Sequence, residues 1–204
     1  MLVFEKLDLK FDIQELREWF KKFVIEESIT MRSQAVGGWS VQSSNGTVED
    51  GWQSGFVPYN GPRNLNPIWQ NQESIQAIPM QEFSRPTSIC VGYMAEVLDE
   101  LEKLQLNPRR SRIILLKSES EGQWHQDGSS LVYQVRLHIP IFSNESCFFE
   151  TKAGKERMID DGSCYLVQIN QPHRVVNLGS TNRYHFVTNV WDQMGISANY
   201  KYSN

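Results

Sequence analysis

Several things are scarce in this sequence, and each scarcity narrows what the chain can do. Its 204 residues hold only three cysteines, Cys90, Cys147 and Cys164, widely spaced and without a C-x-x-C pair. That argues against a disulfide framework or a thiolate zinc site, and fits a reducing compartment. Long apolar runs are missing too. The longest aliphatic stretch, Ile113 to Leu116, falls far short of the roughly 20 residues a membrane helix needs. The opening MLVFEKLDLKFD has no basic region followed by a long apolar segment, so it does not read as a secretion signal. A cytoplasmic protein without membrane contact is expected. Positive charge is thin: 20 Lys and Arg against 24 Asp and Glu give a net charge of -4. The one tight basic cluster, Arg109-Arg110-Ser111-Arg112, reads as a solvated turn. With no basic stripe, a nucleic-acid partner is disfavoured. There is also no Ser/His/Asp hydrolase motif and no glycine-rich phosphate loop.

What is present suits one globular domain over 1–204, with 40% hydrophobic and 11% aromatic residues. Residues 2–10 read as a short strand without clean alternation. Residues 12–27 read as an amphipathic helix capped by Asp12, because Ile13, Leu16, Trp19, Phe20, Phe23 and Val24 recur at three- and four-residue spacing. Residues 88–105 give a second helix, with Val91, Met94, Val97, Leu98, Leu101 and Leu104 on one face and Asn107-Pro108 as its stop. Between them, residues 37–85 are rich in Gly, Ser, Asn, Gln and Pro and carry Trp39, Trp52 and Trp69. Such a stretch is expected to cover the core or to close over a substrate as a lid.

From Ser111 the texture changes to strands. Ile113–Leu116 reads as buried. Val132–Phe142 alternates, with Tyr133, Val135, Leu137, Ile139 and Ile141 on one face and Arg136 and His138 on the other. Further short strands are expected at Cys147–Glu150, Met158–Ile159, Ser163–Ile169, Val175–Val176 and Arg183–Val190, with turns at Gly128, Asn144, Gly154, Gly162 and Gly179. The pattern predicts a mainly β sandwich or jelly roll over 111–192, with the helices of a loop-rich 1–110 part packed outside. Cys147 and Cys164 read as core residues.

All four histidines, His125, His138, His173 and His185, lie in the strand-rich half. In Trp124-His125-Gln126-Asp127-Gly128, an extended backbone turns His125 and Asp127 to one side, so an imidazole and a carboxylate can meet one cation. Alone, this H-x-D pair is a weak signal. His173 can supply a third ligand. Two imidazoles and a carboxylate leave open positions, which is how non-haem Fe(II) oxygenases make room for co-substrate and O2. Leu178–Asn182 reads as a hairpin loop. If Asn177 pairs with Arg183, then His173 and Arg183 share a face with an offset of roughly 13 Å at the usual strand rise. A short dicarboxylate could chelate the metal at one end and meet the Arg183 guanidinium at the other.

These segments, His125-Gln126-Asp127, His173-Arg174-Val175-x-Asn177, Arg183-x-His185 and Arg136-Leu137-His138-Ile139-Pro140-Ile141, with Trp191-Asp192 at the end, carry a family likeness. The chain resembles the 2-oxoglutarate/Fe(II)-dependent dioxygenases, and among them the aspartyl/asparaginyl β-hydroxylase branch, which includes the free-proline cis-hydroxylases. The likeness runs from about Ser111 to Asp192; upstream only Gly38-Trp39-Ser40 is familiar. It implies a double-stranded β-helix, metal ligation by His125, Asp127 and His173, and Arg183 as partner for the far carboxylate of 2-oxoglutarate. It also implies Arg136 and His138 near the metal-bound end of that co-substrate. Some members hold the co-substrate with a serine on the strand before the metal motif; Ile113–Leu116 has none. The implied cofactors are Fe(II), 2-oxoglutarate and O2, and the implied products are succinate, CO2 and a hydroxylated C–H bond. With Asp127 as a ligand no coordination site is left for halide, so hydroxylation is expected over halogenation.

The substrate is expected to be a small amino acid or a peptide side chain, with Trp39 and a spare Arg136 as candidate contacts and the 37–85 segment as selector. Oligomeric state is not legible. Two other readings stay open on sequence alone: a cupin-like metalloenzyme that keeps the ligands but does not need Arg183, and a non-catalytic β-sandwich that binds a sugar or peptide.

Overall fold

The computed structural model describes residues 4–49, 56–58, 75–77, 80–127 and 135–190. Trp52, Trp69, Gly128, Tyr133 and the closing Trp191-Asp192 lie outside them.

The first half contributes β1 (Phe4–Lys10), α1 (Ile13–Phe23), β2 (Thr30–Met31), β3 (Val36–Ser40), β4 (Gln42–Ser43), β5 (Phe56–Pro58), β6 (Ile75–Ala77), β7 (Arg85–Pro86) and α2 (Tyr93–Lys103). The second contributes β8 (Arg109–Leu116), β9 (Ser120–Glu121), β10 (Val135–Phe142), β11 (Cys147–Thr151), β12 (Gly154–Glu156), β13 (Ser163–Gln168), β14 (His173–Asn177) and β15 (Arg183–Asn189). A seven-stranded sheet runs β1-β13-β10-β15-β8-β3-β2, and a four-stranded sheet runs β12-β11-β14-β9. Two small ribbons pair β4 with β7 and β5 with β6. The larger sheet therefore takes strands from both sides of residue 110. Pairing is antiparallel throughout these sheets, as expected of a jelly roll.

α1 begins where expected: Asp12 Oδ1 accepts from the backbone amides of Gln14 and Glu15 at 2.8 and 3.2 Å. It ends at Phe23, short of the expected Glu27, because the last residues unwind into a turn. α2 likewise spans less than 88–105. Both helices cover one face of the large sheet. Leu16 and Phe20 of α1, with Met94, Val97 and Leu101 of α2, pack on Val135, Leu137, Ile139 and Ile141 of β10, Ile113 and Leu115 of β8 and Phe186 of β15. A second cluster, Phe149, Val175, Tyr165, Val167, Ile169 and Met158, joins the two sheets on the other side. The strand alternation fixes this division: Val135, Leu137, Ile139 and Ile141 of β10 meet the helices and Arg136 and His138 face the smaller sheet, until the irregularity after Pro140 turns Phe142 back toward α1.

Gly162, at φ +89, turns the chain into β13 beneath the α1 entrance. Its carbonyl accepts from Phe11 N at 3.0 Å, and any Cβ there would strike the Phe11 carbonyl.

Four expectations change. Met158–Ile159 is not a strand; the chain pairs earlier, at β12, and Met158 plugs the second cluster. β1 does alternate from Glu5 to Lys10, with Leu7 and Leu9 turned inward. The basic cluster is not a solvated turn. It opens β8, where Arg109 pairs with Glu102, Arg110 lies over Phe83, and Arg112 is only 3% exposed. Finally, residues 178–182 do not close a hairpin. β14 belongs to the smaller sheet, pairing with β11 and β9, while β15 pairs with β10 and β8 in the larger. Arg183 stands opposite Leu116, not Asn177. Asn177 is the pivot of that crossing: its Nδ2 donates to the carbonyls of Lys117 and Thr181 at 3.1 and 2.9 Å, and its Oδ1 accepts from Asn144.

Candidate metal centre

The site is built where the ends of the smaller sheet meet the inner face of the larger. His173 opens β14, and His125 lies on the segment after β9. The two pair through their backbones, with N–O distances of 3.0 and 2.9 Å, as an isolated bridge. Asp127 N is held by Ile169 O at 3.0 Å. These bonds bring one donor atom each from His125, Asp127 and His173 within 4.8 Å of one another. Such a trio has the size and chemistry of a metal-binding set.

Both imidazoles are oriented the same way. His125 Nδ1 lies 2.8 Å from Gln123 O, and His173 Nδ1 lies 2.7 Å from Gln171 O. A carbonyl only accepts, so each Nδ1 carries the proton and each Nε2 lone pair is presented to the cluster. Phe149 stacks on the His173 ring at 5.1 Å and fixes its plane. These carbonyl partners were not legible in the sequence, because the backbone supplies them.

Asp127 is set by Arg136, whose guanidinium reaches Oδ2 at 2.8 Å. Burial by itself would raise the Asp127 carboxyl, but Arg136, His125, His173 and Arg112 outweigh it and hold it below its ordinary value. It is thus ionised, and the same Oδ2 lies 4.0 Å from His125 Nε2. Arg136 also donates from Nε to Asn189 Oδ1 at 3.1 Å. It is therefore engaged, not the spare group expected from the sequence.

Beyond the trio, the inner face of the large sheet is cationic. Arg183 is 4% exposed and lies along the His185 ring, with Nε 3.0 Å from Nε2. Among the described residues no carboxylate faces it. Burial brings its guanidinium down to about 10, partly offset by Cys147. His138 is buried, and neither ring nitrogen has a hydrogen-bond partner among the described residues. Burial first, then Arg183, Arg136, His173 and Arg112, push its basicity well down, so it is neutral at pH 7. Arg183 lies along His185, whose ring stands 5.9 Å from that of His138, and Arg136, two residues before His138 on the same strand, is the residue that reaches Asp127. A buried guanidinium that no described carboxylate faces, beside an imidazole with no described partner, is donor chemistry suited to an anion.

Trp39 is not near this centre. It points to the opposite face, packs edge-on to Phe20 and beside Tyr184, and donates from Nε1 to Glu27 O at 2.9 Å. Its parity in β3 explains this: Trp39 and Val41 face the helices, and Ser40 faces inward. The described start of the 37–85 segment, residues 37–43, is therefore buried sheet, not lid. Cys147 and Cys164 are buried, and burial lifts the Cys164 thiol to about 12, which suits core packing and not nucleophilic work.

With this geometry in place, the comparisons decide the family. The family model for aspartyl/asparaginyl β-hydroxylase matches residues 21–193. The chain belongs to that family. This places it among the 2-oxoglutarate/Fe(II) oxygenases of the hydroxylase type. Among curated proteins, none matches the sequence. Among solved structures, the fold is shared with a 2OG-Fe(II) oxygenase family oxidoreductase from Burkholderia pseudomallei, at 12% identity and TM-score 0.51, covering 92% of this chain and 84% of that one. A viral collagen prolyl hydroxylase from Paramecium bursaria Chlorella virus-1 aligns at 10% identity and TM-score 0.46, over 93% and 96% of the two chains. No helix among the described residues is long and apolar enough to cross a membrane.

Proposed function

We propose that this β-hydroxylase-family member is an Fe(II)- and 2-oxoglutarate-dependent oxygenase that hydroxylates a C–H bond of an amino acid or peptide side chain, releasing succinate and CO2. The observation that carries this reading is Arg183: a buried guanidinium without a carboxylate among the described residues, on the sheet face that also carries His185, His138 and the Arg136 that reaches Asp127 of the His-Asp-His trio.

In this reading Nε2 of His125, Nε2 of His173 and a carboxylate oxygen of Asp127 hold Fe(II). The bound metal supplies a place where co-substrate and O2 are brought together and oxidative decarboxylation becomes coupled to C–H hydroxylation. The chain does the rest by positioning. Gln123 and Gln171 keep the Nδ1 protons and so the ligand lone pairs. Arg136 steadies Asp127 through one terminal nitrogen and Asn189 through Nε, which leaves its other terminal nitrogen for the metal-bound end of the co-substrate. Neutral His138 offers a ring N–H beside it. Arg183 takes the far carboxylate in a bidentate pair. Leu116 and Val187, its apolar neighbours on the inner face, keep water from competing.

Anaerobic addition of Fe(II) and then 2-oxoglutarate tests this. A weak visible charge-transfer band that needs both additions is expected. Its absence under conditions where Fe(II) binds would contradict the 2-oxoglutarate assignment.

A further inference from the structure

The co-substrate slot proposed above uses the part of the inner face made by β10 and β15, with Arg136, His138 and Arg183. The same face continues over β8, β3 and β2. Arg32 extends the ladder just beyond β2: its backbone N donates to Val36 O at 2.9 Å, in step with Thr30 opposite Gly38 and Met31 opposite Gly37. Val36 lies opposite Leu116, and Leu116 opposite Arg183. Arg32 therefore stands in the same cross-strand row as Arg183, on the inner face. Its neighbour Met31 turns the other way with Ile29. Both press on the side of Gly37 where a Cβ would project, the side that Leu115 shares with the helices.

Arg32 is exposed, and its guanidinium has neither an ion pair nor a hydrogen bond among the described residues. It also lies within electrostatic reach of the centre. Burial first, with nearby cations adding to it, pulls the guanidiniums of Arg136 and Arg112 down, and Arg32 is one of those cations for both. Arg136 is the group that holds Asp127. Arg112 has a partner of its own and marks only how far the charge of Arg32 reaches.

A second observation is independent of charge. Ser40, next to Arg112 in register, is fully buried, and its hydroxyl has no hydrogen-bond partner among the described residues. It faces inward because Trp39 and Val41 belong to the helix-covered core. Such a hydroxyl is left for a polar group from outside the fold. On this face of β3 only Gly38 stands between Val36 and Ser40, so no β3 side chain separates Ser40 from the Arg32 end of the sheet.

We propose that Arg32 and Ser40 form a carboxylate-binding subsite at the outer end of the inner face, which holds the acidic group of the substrate while the carbon to be oxidised reaches the metal. A guanidinium selects a carboxylate by two parallel N–H bonds, and the serine hydroxyl adds a third. The exposed position of Arg32 admits a carboxylate from two sources, a free amino acid or an acidic side chain within a peptide. The inference rests on the function proposed above and narrows its substrate to an acid.

The test uses the full chain with Fe(II), 2-oxoglutarate and O2. It reads succinate release with each standard L-amino acid as the free acid and as its α-carboxamide, and with end-capped tripeptides centred on Asp, Glu, Asn or Gln. Stimulation by at least one acid is expected, with the matching amide weaker by about tenfold or more, as for a lost charged hydrogen bond at a partly exposed site. A free acid that stimulates assigns the α-carboxylate, and an Asp or Glu peptide that stimulates assigns the side chain; either supports the subsite. Arg32→Gln is expected to raise KM for the acid by a similar factor with kcat nearly unchanged, and to erase the preference of acid over amide, while Arg32→Lys retains part of it. Calorimetric titration of the acid into anaerobic protein loaded with Fe(II) and 2-oxoglutarate should show the same loss of affinity in Arg32→Gln. Ser40→Ala is expected to raise the KM by about threefold to tenfold, with thermal unfolding unchanged or higher, because it removes an unsatisfied buried hydroxyl. Amides that stimulate as well as acids, no stimulation by any acid, or an Arg32→Gln protein that keeps the acid preference would each overturn the subsite. Loss of the anaerobic 2-oxoglutarate band in Arg32→Gln would overturn it too, by placing Arg32 on the co-substrate. Failure of the underlying reading is distinct: the native protein then shows neither band nor succinate.

Discussion

The two faces of the seven-stranded sheet are made of alternate residues of the same strands, yet they differ in kind. The face under the helices is apolar: Leu137, Ile139, Ile113 and Phe186 are fully buried against Leu16, Phe20 and Met94. The face toward the smaller sheet carries Arg112, Arg136, His138, Arg183 and His185. The first is satisfied as it stands. Among the described residues the second leaves a guanidinium without a carboxylate and an imidazole without a partner, costs that a bound ligand would offset. The contrast separates residues that make the fold from residues that use it, and substitutions on the two faces should fail in different ways.

The largest expected effect is on the inner side. His173→Ala removes one of the three proposed ligands, and metal affinity measured by titration should fall by more than about 100-fold, beyond what loss of a supporting group alone does. Thermal unfolding of the metal-free protein should move little. On the helix side the pattern should reverse. Phe20 is 3% exposed and touches the rings of Trp39, Phe142 and Tyr184. Phe20→Ala should cost about 3–5 kcal/mol in denaturant unfolding, with metal affinity of the folded protein unchanged. If Phe20→Ala weakened metal binding as much as His173→Ala does, the division between faces would not hold. Arg136→Gln should be smaller: it removes the charge that steadies Asp127, and metal affinity should drop by about tenfold, the range for a supporting partner.

Much of this division was legible in the sequence. The three- and four-residue spacing of Leu16, Trp19, Phe20 and Phe23 gave α1, and Asp12 its start, because both signals are local. The alternation of β10 placed Arg136 and His138 opposite Leu137 for the same reason. His125 and Asp127 share a side because an extended segment requires it. What failed was non-local. The loop at 178–182 has hairpin composition, but the side chain of Asn177 bonds to the strand ends around it, and the chain changes sheets. His173 and Arg183 stand in different sheets and do not share a hairpin face. Arg112 was hidden by its neighbours: in a run of four basic and polar residues, parity with Ile114 and Leu116 was the signal, and composition masked it. Trp39 looked like a cleft aromatic because glycine and serine surround it, yet the same alternation sends it to the helices.

The smallest expected effect lies outside both faces and serves as a baseline. At Asp161 slight burial works upward, but hydrogen bonds from Ser163 and Lys10 prevail and hold the carboxyl at about 2. A depressed carboxyl contributes stability that is complete above its ordinary value of 3.8 and is lost as pH falls toward about 2. Asp161→Asn should flatten the stability profile across that acid window. Because Asp161 and Lys10 are well exposed, screening keeps the change to roughly a few tenths of a kcal/mol. A shift above pH 5 would point to another group.

The central claim is that the inner face exchanges stability for a co-substrate slot, and Arg183→Met tests it most directly. Calorimetric titration of 2-oxoglutarate into anaerobic Fe(II)-loaded protein should show one site in the native chain and, in Arg183→Met, an affinity lower by about 30-fold to 1,000-fold, while the metal-free variant unfolds at the same temperature or higher. An Arg183→Met protein that binds 2-oxoglutarate as tightly as the native chain, or that loses its fold without loss of a ligand site, would contradict it.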